Sequence, residues 1–233
     1  MALRYGRDPQ KLPSHCACGE VFNTCHALSC ASVGFIISRH NELRDLTADL
    51  LLEVCNDVEV EPRLQPVSAH HVFPTSANRS DEVRLDVKAC GLWGSRFERA
   101  IFDVRVFNPS TISNQTTSLT AAFSRQELSK RRTYEQRVRD IEMASFTQLV
   151  FAATGGAGPA VATTFKRIAG LLSEKWSLPY SAVISWIRCR LSFALIRASI
   201  MCLRGSRYRG RYRVTKPELA QAKGRFYLQI ETK

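Results

Sequence analysis

No stretch of this sequence stays apolar and uncharged long enough to cross a bilayer. The longest apolar segment, residues 183–203, carries Arg188, Arg190 and Arg197, each costly at the centre of a hydrocarbon layer. A buried helix is expected there, and no membrane partner. The first residues lack the basic, apolar and small-residue order of a secretory signal, so an intracellular, reducing compartment is expected, with cysteines free or metal-bound rather than paired. Internal repeats are absent. The Gly155-Gly156-Ala157-Gly158 turn has no Lys-Ser/Thr at the spacing of a P-loop and reads as a tight strand-to-helix turn. Acidic residues are also scarce, 21 against 33 Lys and Arg, which leaves a net charge of +12 and a pI near 9.7. That balance points to an anionic polymer, DNA or RNA, as partner.

The 233 residues, 45% of them hydrophobic, suffice for one good core with a small metal-stapled appendage. Four of the eight cysteines crowd into residues 16–30. Cys16, Cys18, His26 and Cys30 can close around one Zn²⁺ as a tetrahedral Cys₃His site, with Cys25 and His15 as spare ligands close by. Cys55, Cys90, Cys189 and Cys202 sit singly in apolar runs and read as buried thiols.

Leu43, Leu46, Leu50, Leu51 and Val54 fall at helical spacing and predict a helix over 39–56. Alternation predicts strands over 58–64, 83–87 and 100–107, the last two joined as a hairpin by the turn at Gly91-Leu92-Trp93-Gly94. A polar loop is expected over 66–81, where His70-His71 reads as exposed. A charged helix over 125–142, a strand over 146–153 and helices over 161–176 and 181–203 follow. The order is helix, three strands, helix, strand, which fits a mixed α/β domain of two or three layers.

Asp103 is the lone acid in Ile-Phe-Asp-Val-Arg-Val-Phe, and an unpartnered carboxylate in such a strand is costly. If 83–87 and 100–107 pair antiparallel, Asp86 and Asp103 converge on one face and can share a hard divalent cation such as Mg²⁺. Such a cation supports phosphodiester hydrolysis. Arg105 points the same way as Asp103. A second register is open: Asp86-Val87-Lys88 is a literal Asp-x-Lys, with Glu59 or Glu61 as its first acid. Lys130, Tyr134 and Arg137 share one helix face at i, i+4 and i+7. That face either supplies a cation to the site or is solvated.

The knuckle, then Arg39-His40-Asn41-Glu42 opening a helix, Glu61-Pro62, Arg84-Leu85-Asp86 and Phe102-Asp103-Val104-Arg105-Val106 together resemble the C-terminal module of non-LTR retrotransposon polyproteins. There a zinc knuckle precedes a restriction-like endonuclease of the PD-(D/E)xK superfamily. The resemblance spans roughly residues 12–206. It implies a restriction-endonuclease-like core and Mg²⁺-dependent cleavage of target-site duplex DNA. The carboxylates map to Asp86, Asp103 and Glu42, with Arg39 and His40 in the DNA-cleavage module, and a nuclear location is implied. The pattern has Pro where this chain has Leu85, and Lys where it has Arg105. Arginine can stabilise charge but does not exchange protons at neutral pH. The polymerase region of such polyproteins is missing, so a fragment is expected.

The expected organisation is a knuckle segment, 1–38, a nuclease domain, 39–203, and a basic tail, 204–233. In the tail Arg204, Arg207 and Arg209 alternate with Tyr208 and Tyr212, guanidiniums for phosphates and rings for bases. Arg190, Arg197 and Arg204 recur at sevens, for phosphate contact or pairing with carboxylates. Arg137 is a further DNA-contact candidate. The expected function is a transposon-derived DNA endonuclease. The alternatives are a nucleic-acid-binding remnant with a decayed metal site, and an RNA-binding module.

Overall fold

The computed structural model describes residues 12–32, 34–65 and 83–204. The expected loop at 66–81 with His70 and His71, and Arg207 and Arg209, lie outside the described residues. The elements are α1 (Thr24–Ala27), α2 (Phe35–Leu52), β1 (Asn56–Val60), β2 (Val87–Cys90), β3 (Arg99–Phe107), α3 (Ile112–Gln115), α4 (Leu119–Asp140), β4 (Ser145–Ala152), α5 (Pro159–Trp176) and α6 (Tyr180–Arg204). The strands form one mixed sheet in the order β1-β2-β3-β4. The first three are antiparallel and β4 runs parallel to β3, the long α4 making the crossover that a parallel pair requires.

Alternation along the strands sorts the two faces of the sheet. Val87, Ala89, Ala100, Phe102, Val104, Leu149 and Phe151 pack against α2, α5 and α6 as the main core. The opposite face meets α4 in two smaller apolar patches. Leu85 and Ile101 pack with Val138, flanked by Tyr134 and Phe146, and Phe107, Val150 and Ala152 pack with Ala122 and Phe123. Helices therefore cover both faces, the three-layer form of the expected α/β fold. Among the described residues no helix is long and apolar enough to cross a membrane.

Pairing of β1 with β2 fails where it matters most for the site. The expected strand 58–64 ends early because Glu61 takes a left-handed conformation (φ 55) and Pro62 has no N–H to donate. Beyond the break the pairing persists as an Arg63–Arg84 bridge, with Leu64 N bonding to Val83 O at 2.9 Å and Leu85 N to Pro62 O at 3.3 Å. The expected strand 83–87 is displaced correspondingly to Val87–Cys90, with a bend at Asp86, whose carbonyl accepts from Glu61 N at 2.9 Å. α2 starts before the expected residue 39 because Gly34, left-handed at φ 75, lets the chain turn into the helix at Phe35.

The N-terminal segment packs onto the domain. Phe22, Ala27 and the cysteines at 16 and 30 cluster with Leu203 of α6, and Leu28 packs with Ala153 and Cys202. Asn108, just past β3, donates to Cys25 O at 3.1 Å and Ser29 Oγ at 2.9 Å. Arg39 donates to Leu28 O at 3.1 Å and Val106 O at 3.5 Å.

Candidate metal centre and carboxylate site

The knuckle is a tight turn followed by the short α1. Cys16 N bonds to Glu20 O, Gly19 N bonds to Cys16 O, and Asn23 caps α1 by accepting from His26 N at 2.8 Å. These contacts aim Cys16, Cys18, His26 and Cys30 at one point, their ligand atoms all within 4.8 Å of one another. Cys16 Sγ lies 3.8 Å from Cys30 Sγ, Cys30 Sγ 3.9 Å from Cys18 Sγ, and Cys18 Sγ 3.3 Å from His26 Nε2. A tetrahedron with Zn–S bonds of about 2.3 Å has edges of about 3.8 Å. The four residues could hold a metal ion, and their chemistry and spacing suit structural zinc. Among the described residues no other group of three or more His, Cys, Asp or Glu has such spacing. Cys25 stands outside the set, its thiol 3.4 Å from Ser110 O, and His15 Nδ1 sits beside Ser14 Oγ.

Asp86 and Asp103 flank the break in the sheet, Asp86 bonded to His40 of α2 and Asp103 paired with Lys130 of α4. The β2–β3 register pairs Val87 with Phe102, so one further step brings Asp86 alongside Asp103. Freed from the ladder, the Asp86 side chain takes His40 Nε2 at 2.9 Å on one oxygen and Val104 N at 2.6 Å on the other. Asp103, 6% exposed, faces α4 between the two apolar patches. There Lys130 Nζ lies 3.4 Å from both of its oxygens, and the ammonium also sits 5.0 Å over the Tyr134 ring. Burial pushes the Asp103 carboxyl above the usual range; the Asp86 charge adds to this, while Lys130 and the Gln148 amide oppose it.

Gln148 was not anticipated. It is the partner of Asp103 in the β3–β4 register and is 1% exposed, yet neither its Oε1 nor its Nε2 makes a hydrogen bond of good geometry, although the amide approaches the Asp103 carboxyl closely enough to favour its charged form. Asp103 Oδ2 likewise lacks one, since the Lys130 approach is long and poorly directed. The signal was present in the sequence: a glutamine directly before the apolar run Leu-Val-Phe-Ala in Ser-Phe-Thr-Gln-Leu-Val-Phe-Ala.

Other expected site residues go elsewhere. Glu42 on α2 pairs with Arg197 of α6, and Arg190 reaches Asp49 at 4.0 Å and stacks over Trp186. Two arginines of the α6 series are thus committed to carboxylates of α2. Arg105 is half-buried with no hydrogen bond or ion pair among the described residues. Two expected DNA contacts are corrected. Arg39 is 2% exposed and spans the knuckle and β3, and Arg137 is 1% exposed beneath α4 with Nη2 on Gln65 O at 2.9 Å. Neither can reach a phosphate, because each guanidinium is spent on buried backbone carbonyls. Arg204 closes α6 at the surface. The Lys130 face of α4 is turned to the sheet rather than solvated. In the alternative Asp-x-Lys register, Lys88 instead holds exposed Glu59 at 2.5 Å, and Glu61 holds Arg44 and, at 3.9 Å, Arg84. Cys189, expected to be buried, is exposed.

Scanned against models of known protein families the chain matches none, and no curated protein matches it.

Proposed function

We propose that the chain is a metal-dependent endonuclease acting on duplex DNA, with a restriction-like core stapled by a zinc knuckle. The observation that carries this reading is the buried Asp103–Lys130 pair with Asp86 one register step away. Support also comes from the sheet order and from the helix, three strands, helix, strand sequence, which is that of the superfamily the sequence resembles. Lys130 answers the departure at Arg105: the ammonium expected two residues after the second acid arrives from α4 instead.

The residues fit a hard cation. Asp103 Oδ2 and the Gln148 amide are buried polar atoms with no bond, and all the available donors are oxygens, as Mg²⁺ prefers. Asp86 and Asp103 would hold it. When bound, such an ion neutralises charge on a phosphodiester and lowers the pKa of a coordinated water. Lys130, unlike arginine, can pass a proton to or from water at the Asp103 carboxylate. Half-buried Arg105, on the same face and unpaired, can meet phosphate oxygens. The net charge of +12 draws the polyanion to the site.

Supercoiled plasmid incubated with the zinc-loaded protein and Mg²⁺ or Mn²⁺ tests the reading. Nicked or linear product is expected from wild type and none from Asp103→Asn, with duplex binding retained. Wild type that binds duplex DNA without nicking favours the second reading, a DNA-binding remnant. Its supporting observation is that both Asp86 oxygens already carry hydrogen bonds, from His40 and Val104 N. Preference for single-stranded RNA over duplex DNA would favour an RNA-binding module.

A further inference from the structure

The Gln148 amide is the least satisfied group in the described interior. Leaving both ends of a buried amide unbonded costs about 1–3 kcal/mol per group, and nothing apolar is gained by a glutamine at that position. Its place is specific. Parallel pairing sets it directly beside Asp103 on the same sheet face, and the amide acts on the Asp103 carboxyl, whose Oδ2 is also unbonded. Gln148 also lines an open cleft of about 300 Å³ along the free edge of β4, with Trp93, Glu127, Arg131 and Thr163.

Asp103 Oδ2 and Gln148 Oε1 are adjacent buried oxygens without a hydrogen-bond donor, next to a second carboxylate. The Lys130 ammonium, 3.4 Å from Asp103, pairs with its charge without closing a directed bond to Oδ2. We infer that Gln148 Oε1 is a third protein ligand of the divalent cation held by Asp86 and Asp103, so that β2, β3 and β4 each contribute one oxygen. This rests on the reading of those aspartates as a cation site. A neutral carbonyl ligand leaves the site with a charge that Mg²⁺ or Mn²⁺ can match. The other role open to the amide is to donate Nε2–H to Asp103 and orient its carboxylate without touching an ion. The two roles predict opposite effects of a carboxylate at position 148.

Mn²⁺ binding to the zinc-loaded full chain, followed by electron paramagnetic resonance of free Mn²⁺, separates them. Mn²⁺ leaves the thiolate knuckle to zinc because it favours oxygen ligands. Gln148→Leu should weaken Mn²⁺ binding by about tenfold, the usual scale for losing a contact of roughly 1.4 kcal/mol, whereas Gln148→Glu should bind as tightly as wild type or tighter. Both variants should keep wild-type circular dichroism; if Gln148→Leu fails to fold, Gln148→Asn, which draws the carbonyl back by one methylene, takes its place. Gln148→Leu within twofold of wild type, or Gln148→Glu as weak as Gln148→Leu, overturns the inference. Asp103→Asn is the control for the parent reading. Its loss of Mn²⁺ binding alongside an unaffected Gln148→Leu would remove Gln148 alone. Unchanged binding in Asp103→Asn, or no Mn²⁺ uptake by wild type, would remove the cation site and this inference with it.

Discussion

Lys130→Met should destabilise the protein in a way that depends on Asp103 and on pH. Removing one partner of a fully buried ion pair costs about 3–5 kcal/mol, chiefly because a charge is left uncompensated. Here the Lys130 side chain keeps 27% exposure and stands 3.4 Å from Asp103, so water and distance absorb part of that cost, and about 2 kcal/mol is expected at neutral pH. Asp103 already has a carboxyl raised by burial and by Asp86. A folded pKa above the unfolded value of about 3.9 means stability that is fully present below that value and lost as pH rises through the folded one. Without Lys130 the folded pKa rises further, so the loss deepens toward neutrality and the penalty should fade near pH 4. Asp103→Asn/Lys130→Met has no charge left to strand and should unfold within about 1 kcal/mol of wild type. Urea titrations of the four proteins at pH 7.5 and pH 4.5, with zinc bound and no other divalent ion, measure this cycle. Equal destabilisation of the single and double variants at neutral pH would refute electrostatic coupling of the pair.

Zinc withdrawal by a strong chelator should unfold the knuckle and lower the melting temperature of the whole domain, because Leu28, Arg39 and Asn108 join it to β3 and α6. A melt unchanged by chelation would show the knuckle to be separable. Asn108→Ala should cost about 2–3 kcal/mol in denaturant titrations, from the lost bonds to Cys25 O, Ser29 Oγ and Ser110 N and the groups they leave buried; a loss under about 0.5 kcal/mol would mean the docking is carried by apolar contact. Burial and the nearby Cys90 push the Cys55 thiol up to about 11, leaving about one thiolate in a thousand at pH 8. In zinc-loaded protein, iodoacetamide followed by peptide mass spectrometry should therefore find exposed Cys189 labelled well before Cys55. The reverse order would contradict the packing at β1.

The fold was legible where periodicity is undisturbed. The α2 leucines and the strands β3 and β4 fall within a few residues of expectation, while α4 begins at Leu119, six residues before the expected start at 125. Strand boundaries near Glu61 and Asp86 were not legible, since the early end of β1 depends on a left-handed Glu61, and that conformation is fixed by pairing across the sheet. Asp103 announced itself as a lone acid in an apolar strand, and Gln148 carried a weaker signal, an uncharged group directly before an apolar run. Arg39 reads as a surface cation at a helix start. Its burial follows from contacts with Leu28 and Val106, which only tertiary structure brings together. Lys130 was legible as one face of a helix, but not which way that face would turn.

The central claim, that Asp86 and Asp103 form a divalent-cation site distinct from the knuckle, is tested most directly by crystals soaked in Mn²⁺ and measured for anomalous scattering at the manganese and zinc edges. The account predicts a zinc peak enclosed by Cys16, Cys18, His26 and Cys30, and a manganese peak in contact with oxygens of both Asp86 and Asp103. A zinc peak at the knuckle with no manganese between the two aspartates would contradict it.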